Sequence, residues 1–369
     1  MSTLLGHFLK KDSPLDREAA AKATTFYLSD RRFDMLPLNL MHLCSLHGNI
    51  DRFAFSVIVH FSATDFSDIK SIWFGKTLMR NAAALTYEQA DAILSDEDPN
   101  TIATAAKLCA GGFVAKDMIS HLKQQLIMLT DFARFRKRFR AETGAVELQS
   151  SELKFTFDNE GNPVQFKEKK ELEIHNTVAE LMIMANGIVA EKIHNHFPYA
   201  ALLRIHSPVM SDNFGELEDL FSLSGLHLDG STNKDLASSL KRSKMSEHDI
   251  VQSLFSSIAT RAMNEAVYIC TGLVEETKLE HYGLGLQKYT HFTSPIRRYA
   301  DLIVHRLLLR SIELGEPTYA TAELSDLCTR MNHQNRTAKK CSMDCQKLFL
   351  SLYFQSHHEI APAVIVGLR

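Results

Sequence analysis

Residues 53–61 run Phe-Ala-Phe-Ser-Val-Ile-Val-His-Phe, a stretch rich in aromatic and β-branched residues that predicts a strand. A turn is expected at 65–68, and residues 69–74 then predict the returning strand of a hairpin. Residues 85–94 space their apolar positions as a helix does and run into a polar loop at 95–100. The helical spacing resumes over 101–141, interrupted by Gly111 and Gly112. Residues 153–157 and 163–166 predict a second hairpin about a turn at 158–162. Helical patterns dominate from 171 to 354, and residues 363–369 read as the start of one more strand. Strands early and helices later predict an α+β fold and argue against a doubly wound parallel sheet.

Two segments carry more than a fold. Residues 178–190 are apolar on nearly every face, which predicts a buried helix, yet they include Glu180 and Asn186. A buried carboxylate is costly unless it is paired or binds something. The alternative is that Glu180 lies at the exposed beginning of that helix. In residues 281–301, Ser294 followed by Pro295 predicts a helix start, with Ser294 as N-cap. Ile296, Tyr299, Ile303 and Leu307 would form its buried stripe. Arg297 and Arg298 would then occupy the first turn, where the helix dipole disfavours cations by about 0.3–1 kcal/mol each. An anion held by backbone N–H groups and guanidinium forks would offset that cost. Neutralisation by Asp301, three and four residues on, is the other reading of the same spacing.

Composition narrows the field. The chain has 369 residues, 45% apolar, enough for one large domain or two smaller ones. Its net charge of −3 gives no global support for nucleic-acid binding, so any such case rests on local clusters. One is the basic run from Arg134 to Arg140 with its interleaved phenylalanines, which reads either as a path for a polyanion or as a solvated helix face. The six cysteines form no CxxC pair, and no histidine pair has metal-ligand spacing. Nucleotide-binding glycine motifs are absent from the sequence. No apolar run approaches the roughly 18 residues of a membrane span, and the first residues lack a secretory layout. A soluble, cytoplasmic protein with no membrane partner is expected.

The segment from His281-Tyr-Gly-Leu through Tyr289-Thr-His-Phe-Thr-Ser-Pro-Ile-Arg-Arg-Tyr-Ala-Asp to Val304-His305-Arg306 resembles the signature of RNase II-type (RNB) exoribonucleases. Asp30-Arg-Arg-Phe-Asp-Met-Leu-Pro, Leu85-Thr-Tyr-Glu-Gln-Ala, Gly144-Ala-Val-Glu-Leu, Glu180 to Asn186 and Arg204-Ile-His fall in the family's order. The likeness covers nearly the whole chain and is nearest to the eukaryotic, exosome-associated branch, within it to the cytoplasmic paralogue. It implies an RNB-type catalytic domain with a mixed sheet flanked by helices, lacking its N-terminal portion. Residues 1–356 would be the partial catalytic domain and 357–369 the start of a C-terminal OB-fold.

The resemblance also implies an activity: 3′→5′ hydrolysis of single-stranded RNA to nucleoside 5′-monophosphates, with magnesium activating a water. By position, Tyr27 and Tyr87 match the aromatic clamp, and Phe157 is a further stacking residue, with Phe155 nearly as good. Arg297 matches the arginine that contacts the reacting phosphate, Arg298 beside it joins the RNA contacts, and Glu180 matches the acidic residue that holds the last nucleotide. The family's Asp-rich metal motif would lie upstream of Met1, so no metal ligand is expected within the chain and its own activity would be lost or impaired. A non-catalytic RNA-binding isoform and a module docking on exosome core subunits are the alternatives.

Overall fold

The computed structural model describes residues 2–3, 5–62, 65–95, 116–146, 153–208, 214–223, 225–243, 249–358 and 360. In chain order its strands are β1 (Ser2–Thr3), β2 (Phe26–Tyr27), β3 (Arg32–Phe33), β4 (Asp51–Phe61), β5 (Ile69–Arg80), β6 (Leu153–Phe157), β7 (Pro163–Glu168), β8 (Leu202–Ile205) and β9 (Val267–Cys270). The helices are α1 (Leu5–Phe8), α2 (Pro14–Lys22), α3 (Leu38–Cys44), α4 (Tyr87–Leu94), α5 (Lys116–Glu142), α6 (Glu173–His196), α7 (Gly215–Leu223), α8 (Asn233–Ser243), α9 (Asp249–Ala262), α10 (Tyr299–Ile312) and α11 (Thr321–Ser356). The class is α+β, as expected. The strand pairs are antiparallel and form four small sheets, β1-β4-β5, β2-β3, β6-β7 and β8-β9.

Both expected hairpins are present. β4 and β5 pair from Asp51 opposite Arg80 to Phe61 opposite Ile69, with a register shift beside His60. Ala54, Phe55 and Ser56 are the buried positions of β4. The β6–β7 hairpin closes on Asp158, whose carboxylate accepts the N–H groups of Glu160 and Asn162. Two strands lie inside the stretch that reads as helical. β8 and β9 are four residues each and pair from Leu202 opposite Cys270 to Ile205 opposite Val267. Leu202 and Leu203 are both fully buried, so the alternation that marks a strand is missing there. The segment expected to be helical from 101 is described from α5 onward. The expected terminal strand at 363–369, which carries the second-domain assignment, lies outside the described residues.

The main core closes around α10. Every residue from Tyr299 to Leu308 is buried. Leu302, Ile303, Val304, Leu307 and Leu308 meet Phe55, Val189, Ile193, Leu202 and Phe292 in one cluster. Burying each such side chain stabilises the fold by about 1.5–3 kcal/mol. The charged groups of this buried stretch are partnered, and His305 is held through one ring nitrogen. Arg306 reaches Asp16 of α2, the Tyr319 hydroxyl and the Leu9 carbonyl, and His305 reaches the Phe292 carbonyl at 2.8 Å. A second cluster, with Phe214, Leu217, Phe221, Leu236 and Phe255, joins α7, α8 and α9.

The start of α10 corrects the sequence reading. The helix begins at Tyr299 with Arg298 as N-cap, so Ser294 is not its cap and Pro295 is not in its first turn. The reason is a competing set of backbone bonds. Tyr299 N–H donates to the Ala23 carbonyl at 2.9 Å and Thr25 N–H to the Arg297 carbonyl at 3.1 Å. Residues 297–299 are thereby drawn out beside residues 23–25, with Thr24 bridging Arg298.

Candidate functional site

That seam builds the site. It places β2, which carries Tyr27, directly beside the Arg297 backbone, although the two lie far apart in sequence. The Thr24 hydroxyl adds a bond to the Arg297 carbonyl at 3.2 Å. Asp301, fully buried in the first turn of α10, fixes the other flank. It accepts the Ser294 N–H at 2.6 Å and both ends of the Arg298 fork at 2.8 Å. A carboxylate at this helix N-terminus also suits the helix dipole.

The two arginines therefore part company. Arg298 points inward and is spent on Asp301, with Thr293 a further contact. Of the two readings of the pair, neutralisation by Asp301 holds for Arg298. Arg297 is exposed, and its fork reaches the Ser294 hydroxyl at 3.3 Å. It lines a pocket of about 320 Å³ together with Tyr27, Arg32, Asp34, Ser294 and Pro295. Arg32 pairs with Asp34 at 3.2 Å, whereas Arg297 has no carboxylate partner among the described residues. Tyr27 is 48% exposed. A flat aromatic ring and a free guanidinium on one small cavity suit a ligand with a planar group and a phosphate.

The remaining sequence candidates do not line this pocket. Tyr87 is the first residue of α4, half exposed, with its ring 4.3 Å from that of His175 at the start of α6. A capping box holds it there: the Thr86 hydroxyl accepts Gln89 N–H, and the Gln89 side-chain Oε1 accepts Thr86 N–H. Phe157 ends β6 and packs edge-on against Phe349 of α11 at 4.8 Å, while Phe155 is buried. Glu180 is 4% exposed, not at an exposed helix beginning. Arg140 grips it with two hydrogen bonds, one at 3.0 Å, and also donates to the Leu284 carbonyl. The basic run is likewise divided: Arg134 is exposed and pairs with Glu173, and Arg140 is buried. Neither a continuous basic path nor a wholly solvated face describes it. Sequence spacing did not reveal Arg140 as the partner of Glu180, because the two lie on different helices.

A magnesium ion needs oxygen ligands that converge on one point. Among the described residues no three His, Cys, Asp or Glu side chains converge to hold an ion. Beside the pocket, Asp34 is committed to Arg32 and Asp301 to Arg298. The described residues therefore do not fit a metal centre. No described helix is long and apolar enough to cross a membrane.

Known proteins share this chain's sequence pattern and fold. The RNB domain model matches residues 5–313. A Caenorhabditis elegans protein named probable exosome complex exonuclease RRP44 is 35% identical over 98% of the chain, which spans 36% of that relative. The DIS3-like exonuclease 2 of Schizosaccharomyces pombe is 35% identical over 95% of the chain, which spans 37% of it. The chain thus covers little more than a third of these relatives. Mycoplasma genitalium RNase R, solved with ribose-methylated single-stranded RNA, shares the fold with a TM-score of 0.80 at 20% identity, covering 96% of this chain and 53% of that one. Yeast Ssd1, described as a pseudonuclease, shares it with a TM-score of 0.74 at 21% identity, over 94% and 39%. Taken with the seam at Ser294–Tyr299 and the pocket it forms, the match across most of the chain makes this protein a member of the RNB-domain family.

Proposed function

We propose that the chain forms the RNA-end-holding part of a 3′→5′ exoribonuclease that hydrolyses single-stranded RNA to nucleoside 5′-monophosphates. The observation that carries this reading is the placement of Tyr27 and Arg297 on one pocket through a backbone seam. Tyr27 would stack the terminal base, an interaction worth about 1–3 kcal/mol and indifferent to sequence. Arg297 would face the reacting phosphate and stabilise the charge that develops on it. Arg298 supports this from behind, by fixing Asp301 and so the turn that presents Arg297. Tyr87 and Phe157 would stack bases further along the strand, and Glu180, held by Arg140, would meet the last ribose. Magnesium is the cofactor expected of such a hydrolysis, and among the described residues no carboxylate cluster would hold it. Exosome core subunits are the proposed protein partners and the cytoplasm the proposed compartment.

A second reading is RNA binding without cleavage. It is favoured by the lack of a convergent carboxylate cluster among the described residues and by the fold shared with a pseudonuclease. Incubating the chain with 5′-labelled single-stranded RNA and magnesium separates the two. Stepwise release of mononucleotides from the 3′ end is expected of the first. Retained, uncut RNA would select the second, and no binding would reject both. In an active enzyme, Arg297→Ala should cut turnover by about 10²–10³ while changing RNA affinity little. An equal loss of affinity would make Arg297 a binding residue only.

A further inference from the structure

A second cavity, of about 540 Å³, opens between β8, the approach to β9 and α11, and shares no lining residue with the Tyr27–Arg297 pocket. Arg204, His206, His281 and His291 line it, with Arg336 and Lys339 of α11. Its volume lies within the roughly 300–1,000 Å³ typical of small-molecule sites.

Its charges do not cancel. Glu265 is the carboxylate among its lining residues, and it is already shared by Arg336 at 3.1 Å and Lys339 at 3.7 Å. Arg204 has no carboxylate partner among the described residues. Its guanidinium lies over the Tyr268 ring, 4.8 Å from the centroid. Stacking of this kind occupies the face of the guanidinium and leaves its N–H edge free for an acceptor. The three histidines add no negative charge and offer no anion. Each is held neutral, first by burial, and Arg204 contributes a positive field at all three.

The polar groups also look unfinished. His206 is fully engaged, accepting the Gly283 N–H on Nδ1 and donating from Nε2 to the Asn264 carbonyl. His281, only 8% exposed, has a buried Nδ1 with no partner.

We propose that this cavity binds the phosphate of a nucleotide, anchored by Arg204 and drawn in by Arg336 and Lys339. The anion follows from the cavity itself, whereas the choice of a nucleotide rests on the RNA-processing reading above. A free mononucleotide and a phosphodiester within an RNA chain present the same chemistry, and both are tested.

Calorimetric titration of the chain in EDTA with uridine 5′-monophosphate, uridine and a five-nucleotide oligouridylate decides the matter. The monophosphate should bind at least about tenfold more tightly than uridine, and Arg204→Gln should remove about that factor. The exposed Lys339→Gln, which carries little folding risk, should weaken the monophosphate about two- to threefold. Tyr27→Ala, which removes base stacking in the first pocket, should leave the Arg204-dependent component of monophosphate binding unchanged. If Arg204→Gln weakens the oligouridylate as well, the RNA chain is a source of the phosphate; if it weakens the monophosphate alone, the source is the free nucleotide. Equal binding of uridine and its monophosphate would overturn the proposal. So would loss of monophosphate binding in Tyr27→Ala with retention in Arg204→Gln, which would place the nucleotide in the other pocket and leave the functional reading intact. Oligouridylate affinity unaffected by Tyr27→Ala would instead count against that reading and leave this cavity untouched.

Discussion

Arg298 turns its guanidinium into the molecule, onto a carboxylate with no exposure, while its neighbour Arg297 keeps its own in solvent. Replacing them should have opposite consequences. Arg298→Ala leaves Asp301 buried without its partner, a loss on the order of 3–5 kcal/mol of stability. Arg297→Ala should stay within about 0.5 kcal/mol of the parent. Urea titrations of the two variants measure both, and equal stabilities would contradict the inward assignment of Arg298. The sequence carried the pair and its two readings, but not the division of labour. That depends on a seam with residues 23–25, which no local spacing encodes. Glu180 illustrates the same limit. Its burial was one of two readings of the apolar run around it, and its partner Arg140 sat in a basic run whose members face different ways.

At the scale of elements, legibility tracked how local the determinants are. The β4–β5 and β6–β7 hairpins were readable because their patterns and turns lie within one stretch of chain. β8 and β9 were not, since each is only four residues long and Leu202 and Leu203 are buried in succession. α4 was readable in the same local way and is closed by its own residues, Thr86 and Gln89. Thr86→Ala should therefore cost about 0.5–2 kcal/mol in the local stability of this short helix. Amide exchange should quicken through Tyr87–Leu94 and leave α10 unchanged. Uniform quickening would mean that α4 unfolds only with the whole domain.

For the molecule as a whole, α10 is the element on which the main core depends, and it includes a titratable group that couples stability to pH. His305 is buried, donates from Nε2 to the Phe292 carbonyl and has an unpartnered buried Nδ1. Burial pushes its pKa from the ordinary 6.5 down to about 4. Between those values the unfolded chain takes up a proton that the folded one refuses. Stability should therefore fall as pH is lowered through that window, by on the order of 3 kcal/mol, and should not depend on this group above it. Denaturant unfolding at pH 7 and pH 4.5 measures the slope, and His305→Gln should flatten it. An unchanged slope in that variant would assign the acid sensitivity to other groups.

The seam between residues 23–25 and 297–299 has a consequence for how the first pocket can change. Its aromatic and its cation are aligned by main-chain atoms, which every amino acid other than proline supplies in full. Either side chain can therefore be exchanged without displacing the other. Specificity at Tyr27 and chemistry at Arg297 become separately adjustable, while proline at Thr25 would remove a donor from the seam and disturb both at once.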